Sequence, residues 1–449
     1  ETGGFETESI FMCNYPIDIN PVYKRYSGNH TITHDNGVKE YDDTVTLTKA
    51  YEAVTDYLGF HFIEAGKTMG LAPYGHYDEN IPPLFVQGKG NKNILRPNYP
   101  ASALIDEFRF PYLIRNGNPR EWHNDETLVQ QKYKNLAWHV QHETQELVAR
   151  LIEKAVDSTG ERNVVISGGY GLNCVNNYYL QKRFPELKLY FDPISHDGGT
   201  SIGLAKFVYY SSLEKDQEYK KFPHETIYYG PVHNPEYTKA VIKANTDKFD
   251  IKETTYEDVA KLISEKNIVA IYQGRSEAGP RALGNRSILY DPRDPDGKDH
   301  VNVVKGREWF RPFAGTVLAE EGDEWFDLAG YGESPFMMMA VNVAADKLKI
   351  IPCVTHVDDT CRVQTVTKEQ NEHYYNLISA FKDITGVPVL FNTSFNLGGD
   401  PLVETLDDAI DTLKRSKIEY LYLPEYGKMF ILKNMFKNLE LEIQCGSCG

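Results

Sequence analysis

The chain has 449 residues, enough for two or three domains that each bury a hydrophobic core. Its 48 Lys and Arg residues against 64 Asp and Glu residues give a formal net charge of −16, which disfavours non-specific binding to nucleic acid or to anionic membranes. Hydrophobic residues make up 41% of the chain, and its most apolar stretch, 336–345, is interrupted by Asn342, so the composition predicts a globular protein without a membrane span.

The first half of the chain has the pattern of an α/β fold. Apolar residues between Asn135 and Ala155 recur at helical spacing, and Gly160 follows as a stop signal. Two short apolar runs, 163–167 and 187–191, predict strands that lead through polar or glycine-rich turns into helices. Because ligands gather at the carboxyl ends of strands in open α/β sheets, we expect functional residues in these turns.

A polar stretch at 211–225 lacks periodic apolar residues and predicts a linker. Beyond it, the sequence predicts a mixed α/β domain with one clear helix at 406–416 and strands at 267–272, 315–318, 387–391, 418–423 and 429–432. The predicted organisation is therefore a first domain over 1–210, a linker over 211–225 and a second domain over 226–449.

Two turns of the first domain carry candidate ligand-binding residues. The sequence S-G-G-Y-G-L-N at 167–173 would let the backbone approach a phosphate at a helix N-terminus, and a tight strand–helix turn is an equal alternative. In the turn I-S-H-D-G-G-T-S at 194–201, Asp197 is a candidate ligand for a metal or a nucleotide hydroxyl. A helix N-cap is the alternative role for this aspartate.

The stretch 274–311 concentrates cations in a chain of strong negative charge. Guanidinium groups match phosphate and carboxylate, and several of them resist burial without an anion, so the stretch predicts a phosphate-bearing substrate. Surface arginines paired with nearby acidic residues are the alternative. The cations are Arg275, Arg281, Arg286, Arg293, Lys305, Arg307 and Arg311. Downstream, Arg362 and the loop residues Ser394 and Asn396 add further donors.

Taken together, these motifs resemble the O-carbamoyltransferase family that includes the nodulation-factor and antibiotic carbamoyltransferases. The resemblance covers nearly the whole chain, from about residue 1 to residue 432. It implies an α/β fold in which a partial actin-like (ASKHA) domain is followed by a YrdC-like mixed α/β domain. The stretches that carry it are E-A-G-K-T-M-G-L-A-P-Y-G, S-G-G-Y-G-L-N, S-H-D-G-G-T-S-I-G, Y-Y-G-P, G-R-S-E-A-G-P-R-A-L-G-N-R-S-I-L, K-G-R-E-W-F-R-P-F-A and F-N-T-S-F-N.

In the YrdC-like domain, the resemblance implies a site for ATP and carbamoyl phosphate. The family's KxR and SxN signatures fall on the residues expected to be catalytic, which are Lys305, Arg307, Ser394 and Asn396. The resemblance implies that the same pocket is lined by Arg275, Arg286, Arg311 and Arg362.

In the actin-like domain, the resemblance implies that the adenylate is bound by Lys67, Gly168, Gly169 and Asn173. Asp197 corresponds to the family's metal-binding aspartate. The family binds iron with this aspartate and a pair of histidines on a helix upstream of the first motif, a segment that this sequence does not contain. We therefore expect an actin-like domain that lacks part of its first half, and the expected cofactors are ATP, Mg²⁺ and Fe²⁺.

The resemblance implies an ATP-dependent O-carbamoyltransferase. The carbamoyl oxygen attacks the α-phosphorus of ATP, pyrophosphate leaves, and a hydroxyl on a small-molecule acceptor or on hydroxymethylated DNA takes the carbamoyl group. A threonylcarbamoyladenylate synthase-like enzyme of tRNA modification and a non-catalytic nucleotide-binding remnant are the alternatives. Six cysteines in 449 residues favour the cytoplasm, that of the host if a phage encodes the protein, and a homodimer is left open.

Overall fold

The structure is a computed structural model that describes residues 5–27, 30–33, 39–42, 47–87, 95–97, 130–214 and 217–433. The chain divides into two compact units. The first comprises Glu1–Phe191 and Gly199–Phe222, and the second comprises Asp192–Gly198 and Pro223–Gly449. The chain crosses from the first unit to the long segment of the second between residues 222 and 223, which lie within the predicted linker at 211–225.

The first unit combines short strand pairs with helices. Its antiparallel pairs are β1 (Phe5–Asn14) with β2 (Asp18–Ser27), β3 (His30–Thr33) with β4 (Lys39–Asp42), and β5 (Phe85–Gln87) with β6 (Leu95–Pro97). Among its described residues, the helices before β7 are α1 (Leu47–Tyr57), α2 (Ala65–Leu71) and α3 (Gln131–Thr159). No helix in the described ranges is both long and apolar enough to cross a bilayer.

The helix α3 confirms the helical periodicity between Asn135 and Ala155 and extends it at both ends. It ends at Gly160, whose φ of 74° lets its N–H turn back to the carbonyl of Val156 at 2.7 Å. Most of the apolar stripe is buried, with Leu136 and Val140 each at 0% exposure. Burying such a side chain stabilises the fold by about 1.5–3 kcal/mol.

Both strands predicted in the first half are present and pair in parallel. They are β7 (Asn163–Ile166) and β8 (Lys188–Phe191). A 3₁₀ turn, Gly169–Leu172, follows β7 and leads into α4 (Cys174–Arg183), and α5 (Thr200–Ser211) follows β8. The glycine turn therefore occupies the predicted position between a strand and a helix.

The second unit contains a nine-stranded mixed sheet with the order β13-β14-β12-β15-β11-β10-β16-β17-β9. Its strands include all five predicted from the sequence, and β9, β11, β13 and β14 were not predicted. The strands are β9 (Phe249–Glu253), β10 (Val269–Tyr272), β11 (Arg286–Tyr290), β12 (Ala314–Leu318), β13 (Ala340–Asn342), β14 (Thr360–Val366), β15 (Val389–Ser394), β16 (Tyr420–Leu423) and β17 (Lys428–Leu432). Together with its helices, this sheet makes the unit a mixed α/β fold.

Four of the six helices described in the second unit begin at side-chain caps. Thr255 and Thr405 each accept a hydrogen bond from the third helical residue, Asp258 or Asp408, whose carboxylate bonds back to the cap. The helices are α6 (Pro235–Ala244), α7 (Tyr256–Ser264), α8 (Gly297–Lys305), α9 (Gly322–Trp325), α10 (Glu372–Thr385) and α11 (Leu406–Lys414). The helix predicted at 406–416 corresponds to α11.

The sheet register brings four strand ends together. Ser287 of β11 lies opposite Ser394 of β15, and Ala314 of β12 lies between Asn392 of β15 and Arg362 of β14. Because β15 runs antiparallel to β11 and β12, while β12 runs parallel to β14, the carboxyl end of β15 meets the amino ends of the other three. Residues that are far apart in the sequence thus share one edge of the sheet.

Candidate anion-binding site

Four cations meet at this edge of the sheet, and we refer to Lys305, Arg307, Arg311 and Arg362 as the cation cluster. Lys305 is the last residue of α8, which ends at Gly306 with a φ of 62°. The N–H of Arg307 turns back to the carbonyl of Asn302 at 2.9 Å. This left-handed turn keeps residues 305 and 307 at the same helix end.

Mutual repulsion marks the cation cluster. Burial, with repulsion from Arg307 and Arg311, holds the pKa of Lys305 well below its ordinary value. Burial, with repulsion from Arg311 and Arg362, also lowers the pKa of Arg307, and Glu308 opposes that shift. Among the described residues, no carboxylate lies within ion-pair distance of Lys305 or Arg307. The cluster is therefore short of negative charge, and a bound anion would relieve the repulsion.

Arg307 and Arg311 make few described contacts within the protein for side chains with five N–H donors each. Arg307 donates from Nη1 to the Thr393 hydroxyl at 3.3 Å, and its guanidinium lies 4.6 Å from the centre of the Phe313 ring. Its Nε is buried and has no hydrogen-bond partner within the described ranges. Arg311 pairs with Glu308 at 3.4 Å. A guanidinium has five N–H donors, so donors remain for a ligand.

Lys305, Ser394 and Asn396 form a closed set of contacts beside the arginines. The Lys305 ammonium donates to the carbonyls of Ser394 and Asn396 and to Oδ1 of Asn396. The Ser394 hydroxyl donates to the same Oδ1 at 2.6 Å, and Nδ2 of Asn396 donates to the carbonyl of Asp400 at 2.7 Å. The structure thus brings together the four residues expected to be catalytic, with three of them bonded to one another.

Arg275 and Arg286 lie outside this cluster of contacts and hold the backbone. Arg286 is 0% exposed and donates to the carbonyls of Gln273, Gly274, Asn285 and Glu404. Arg275 donates to the carbonyls of residues 229 and 230. These contacts give both side chains a structural role in the described protein, beside the role in ligand binding that the sequence predicts.

The sequence reasoning missed one buried residue of the same motif, Glu277. Its Oε1 accepts hydrogen bonds from the backbone N–H groups of Leu283, Asn285 and Arg286 at 2.7, 3.0 and 3.4 Å. Burial raises the pKa of this carboxyl group. The glutamate fixes the turn that leads into β11, and its position between glycine- and arginine-rich residues was the available signal for this role.

The four residues predicted to bind adenylate in the first unit differ in how they are used within the protein. Asn173 caps α4 by accepting from the N–H of Asn176, and its side-chain amide exchanges hydrogen bonds with Gln141 at 3.0 and 3.2 Å. Lys67 forms an ion pair with Glu64 at 2.7 Å. Gly168, with a φ of 98°, and Gly169 have open space where a Cβ would lie. The turn therefore exposes backbone, whereas the asparagine is committed internally.

Asp197 begins the 3₁₀ turn Asp197–Gly199 and is exposed. Beside it, the N–H of Gly198 donates to Nδ1 of His196 at 3.0 Å. Across the described ranges, no group of three or more His, Cys, Asp or Glu side chains is arranged to hold a metal ion. A lone carboxylate is one member of the ligand set that an iron site needs, so the role of Asp197 as a metal ligand stays a prediction.

Comparison with known proteins identifies the family. Residues 22–206 match the Carbamoyltransferase N-terminus family, and residues 260–429 match the Carbamoyltransferase C-terminus family. The chain belongs to the carbamoyltransferase family. The two matches fall one in each half of this carbamoyltransferase-family chain, and the second contains the whole cation cluster with Ser394 and Asn396.

Two curated relatives show how much of a longer protein this family member spans. It is 33% identical to the uncharacterized protein sll1178 of Synechocystis over 85% of its own length and 66% of that protein. It is 34% identical to nodulation protein NolO of Bradyrhizobium diazoefficiens over 81% of its own length and 65% of that protein. The chain thus spans slightly less than two thirds of either relative.

A solved structure also matches weakly. Full-length HypF in its phosphate- and nucleotide-bound form aligns with a TM-score of 0.27 at 19% identity, over 37% of this chain and 21% of that one. A likeness of this size does not bear on the fold or the function of the carbamoyltransferase-family chain.

Proposed function

We propose that this chain is an ATP-dependent O-carbamoyltransferase whose second unit makes carbamoyladenylate from ATP and carbamoyl phosphate. One observation carries the proposal: four cations meet at one sheet edge of a protein with a net charge of −16. Such a cluster is suited to a polyphosphate and a second phosphate-bearing substrate. Membership of the carbamoyltransferase family supplies the reaction class.

The proposed chemistry in the second unit has two steps. Hydrolysis of carbamoyl phosphate gives carbamate and inorganic phosphate. A carbamate oxygen then attacks the α-phosphorus of Mg²⁺-bound ATP, the bond between the α-phosphorus and the bridging oxygen breaks, and pyrophosphate leaves. Arg307, Arg311 and Arg362 would neutralise the charge that moves onto the leaving pyrophosphate. In this proposal the second unit corresponds to the family's YrdC-like domain.

The transfer step is assigned to the first unit, which would correspond to the actin-like domain. There the oxygen of an acceptor hydroxyl attacks the carbamoyl carbon, the hydroxyl proton passes to solvent, and AMP leaves. The exposed backbone at Gly168 and Gly169 offers room for a nucleotide phosphate near the turn that precedes α4. Lys67 and Asn173 are the remaining adenylate-binding candidates of the first unit. Asp197 belongs to the segment Asp192–Gly198 of the second unit and stays a candidate metal ligand without a part in this step.

A sugar or cyclitol hydroxyl is the acceptor that we favour over hydroxymethylated DNA. The net charge of −16 repels a DNA backbone, whereas a neutral small molecule meets no such barrier. Incubation of the carbamoyladenylate-forming reaction with each acceptor class, followed by mass spectrometry for the added carbamoyl group, distinguishes the two. Carbamoylated DNA with unmodified sugars would reverse the preference.

The first test uses the chain as it stands. Incubation with Mg-ATP and carbamoyl phosphate, without an acceptor, should release pyrophosphate and form carbamoyladenylate detectable by mass spectrometry. Omission of carbamoyl phosphate is the control and should abolish the signal. Pyrophosphate release that requires threonine and bicarbonate instead would indicate a threonylcarbamoyladenylate synthase, and ATP binding without release would indicate a non-catalytic binder.

A further inference from the structure

All three N–H donors of the Lys305 ammonium are used in hydrogen bonds within the protein. Its Nζ lies 2.8 Å from the carbonyl of Asn396 and 3.1 Å from Oδ1 of the same residue, and it also donates to the carbonyl of Ser394. The side chain is 2% exposed. An ammonium group has three N–H donors and no acceptor, so these three contacts account for all of them.

We propose that Lys305 is a positioning residue that holds the turn Ser394–Gly398, and that Arg307, Arg311 and Arg362 contact the anion. This inference deepens the proposed function and rests on it for the identity of the substrates. It assigns different tasks to Lys305 and Arg307 in one K-G-R sequence, because the contacts of the lysine account for all its donors, whereas those of Arg307 and Arg311 do not.

The backbone of Lys305 holds the same turn as its side chain. The N–H of Gly398 donates to the carbonyl of Lys305 at 2.7 Å. A Cβ at position 398 would lie 2.6 Å from the carbonyl oxygen of Gly306 and 3.0 Å from that of Lys305. The turn therefore packs on the end of α8 at a distance that only glycine permits, and loss of the ammonium would remove three of its supports.

Arg307 and Arg311, by contrast, have more N–H donors than described hydrogen-bond partners. Arg307 donates one described hydrogen bond, to Thr393, and its buried Nε has no partner in the described part of the chain. Arg311 makes one ion pair, with Glu308. A planar guanidinium fork also matches two oxygens of a phosphate, which the compact ammonium of a lysine does not. Geometry and donor count both place the anion on the arginines.

The test compares Lys305→Met with Arg311→Met, using inorganic pyrophosphate as the probe. Calorimetric titration measures pyrophosphate affinity, and hydrogen exchange of the ligand-free protein measures the mobility of residues 394–400. We expect Lys305→Met to keep the pyrophosphate Kd within threefold, to speed amide exchange in 394–400 at least tenfold, and to slow pyrophosphate formation from ATP at least tenfold. Arg311→Met should raise the Kd at least tenfold and leave exchange in 394–400 within twofold of the wild type.

A second variant, Gly398→Ala, keeps the test decisive if Lys305→Met fails to fold. Gly398→Ala displaces the turn through its Cβ without removing a cation, so it should speed exchange in 394–400 and keep pyrophosphate affinity. The inference is overturned if Lys305→Met weakens pyrophosphate binding as much as Arg311→Met does and leaves exchange unchanged. Absence of pyrophosphate binding by the wild type would also overturn it. A wild type that binds pyrophosphate but forms none would contradict the proposed function alone, because binding and exchange would still test the role of Lys305.

Discussion

The two units hold their predicted ligand-binding residues in opposite ways. In the second unit, Lys305 and Arg307 are crowded against further cations, and burial and repulsion lower the pKa of each. In the first unit, Asn173 gives its oxygen to the start of α4 and its amide to Gln141. Crowded like charges are unfavourable until an anion arrives, whereas an asparagine with every group paired already stabilises the fold. The difference makes Lys305 and Arg307 stronger candidates for a ligand-responsive site than Asn173.

The largest effect that we expect tests the close packing of the first unit. A Cβ at Gly75 would lie 2.1 Å from the carbonyl oxygen of Lys134 in α3, so Gly75→Ala should lower the free energy of unfolding by about 3 kcal/mol. Gly168→Ala has open space but a φ of 98°, and should cost about 1 kcal/mol. Gly66→Ala, in α2 with nothing near its Cβ, is the control and should not destabilise.

Chemical denaturation of the three variants gives these values. Equal loss from Gly75→Ala and Gly66→Ala would show that the backbone of residues 72–75 does not approach α3 closely. Such a result would remove the evidence that the first unit is tightly packed at the E-A-G-K-T-M-G-L-A-P-Y-G motif.

The second effect concerns the cation cluster. Arg307→Met should lower kcat/KM for pyrophosphate formation about 100-fold, because a charge-assisted contact to phosphate contributes about 1.5–3 kcal/mol. Removal of a buried like charge beside Lys305 should leave the melting temperature unchanged or higher. Arg415→Met is the matched control, since Arg415 is partly exposed and pairs with Asp400 and Asp411. A large loss of stability with unchanged kinetics would give Arg307 a structural role.

The third effect asks whether Asn173 is structural. Asn173→Ala removes the cap of α4 and leaves the amide of Gln141 buried without its partner, so we expect a loss of about 2 kcal/mol in denaturant titrations. Asn173→Ser keeps a cap acceptor and should lose about half as much. Unchanged stability together with weaker ATP binding would instead make Asn173 a ligand contact, and the contrast between the two units would disappear.

The sequence predicted those parts of the fold that carry continuous apolar runs. The strands β10, β12, β15, β16 and β17 are of this kind, and each has a buried apolar core. β11 and β14 were missed because arginine and hydroxyl residues interrupt their apolar residues, in R-S-I-L-Y and T-C-R-V-Q-T-V. The register of the sheet decides which strands pair. It depends on segments that are far apart in the sequence, so a local pattern of residues does not predict it.

The same limit applies to the site. The register of β14, β12 and β15 brings Arg362 and Ser394 to one edge of the sheet, where the end of α8 contacts the end of β15 through residues 305 and 307. The motifs marked these residues in advance, but not their proximity. Of the four strands that meet at this edge, only β15 contributes its carboxyl end, because the sheet is mixed. Arg286 could not be separated from the cluster by sequence, since a guanidinium serves backbone carbonyls as readily as phosphate.

The smallest effect is a pH dependence in the first unit. A hydrogen bond from Nδ2 of Asn135 lowers the pKa of Asp78 below its ordinary value of 3.8, and the N–H of Asn80 adds to the shift. A folded-state pKa below the unfolded one gives stability that is complete above the unfolded value and is lost as the pH falls through the folded one. Solvent screens this half-buried carboxylate, so the contribution is roughly 0.5 kcal/mol or less. The free-energy difference between wild type and Asp78→Asn should therefore shrink between about pH 5 and about pH 2. Glu161→Gln, at an exposed position beyond α3, should show no such change, and parallel curves for wild type and Asp78→Asn would contradict the link between Asp78 and the packing of residues 76–80 on α3.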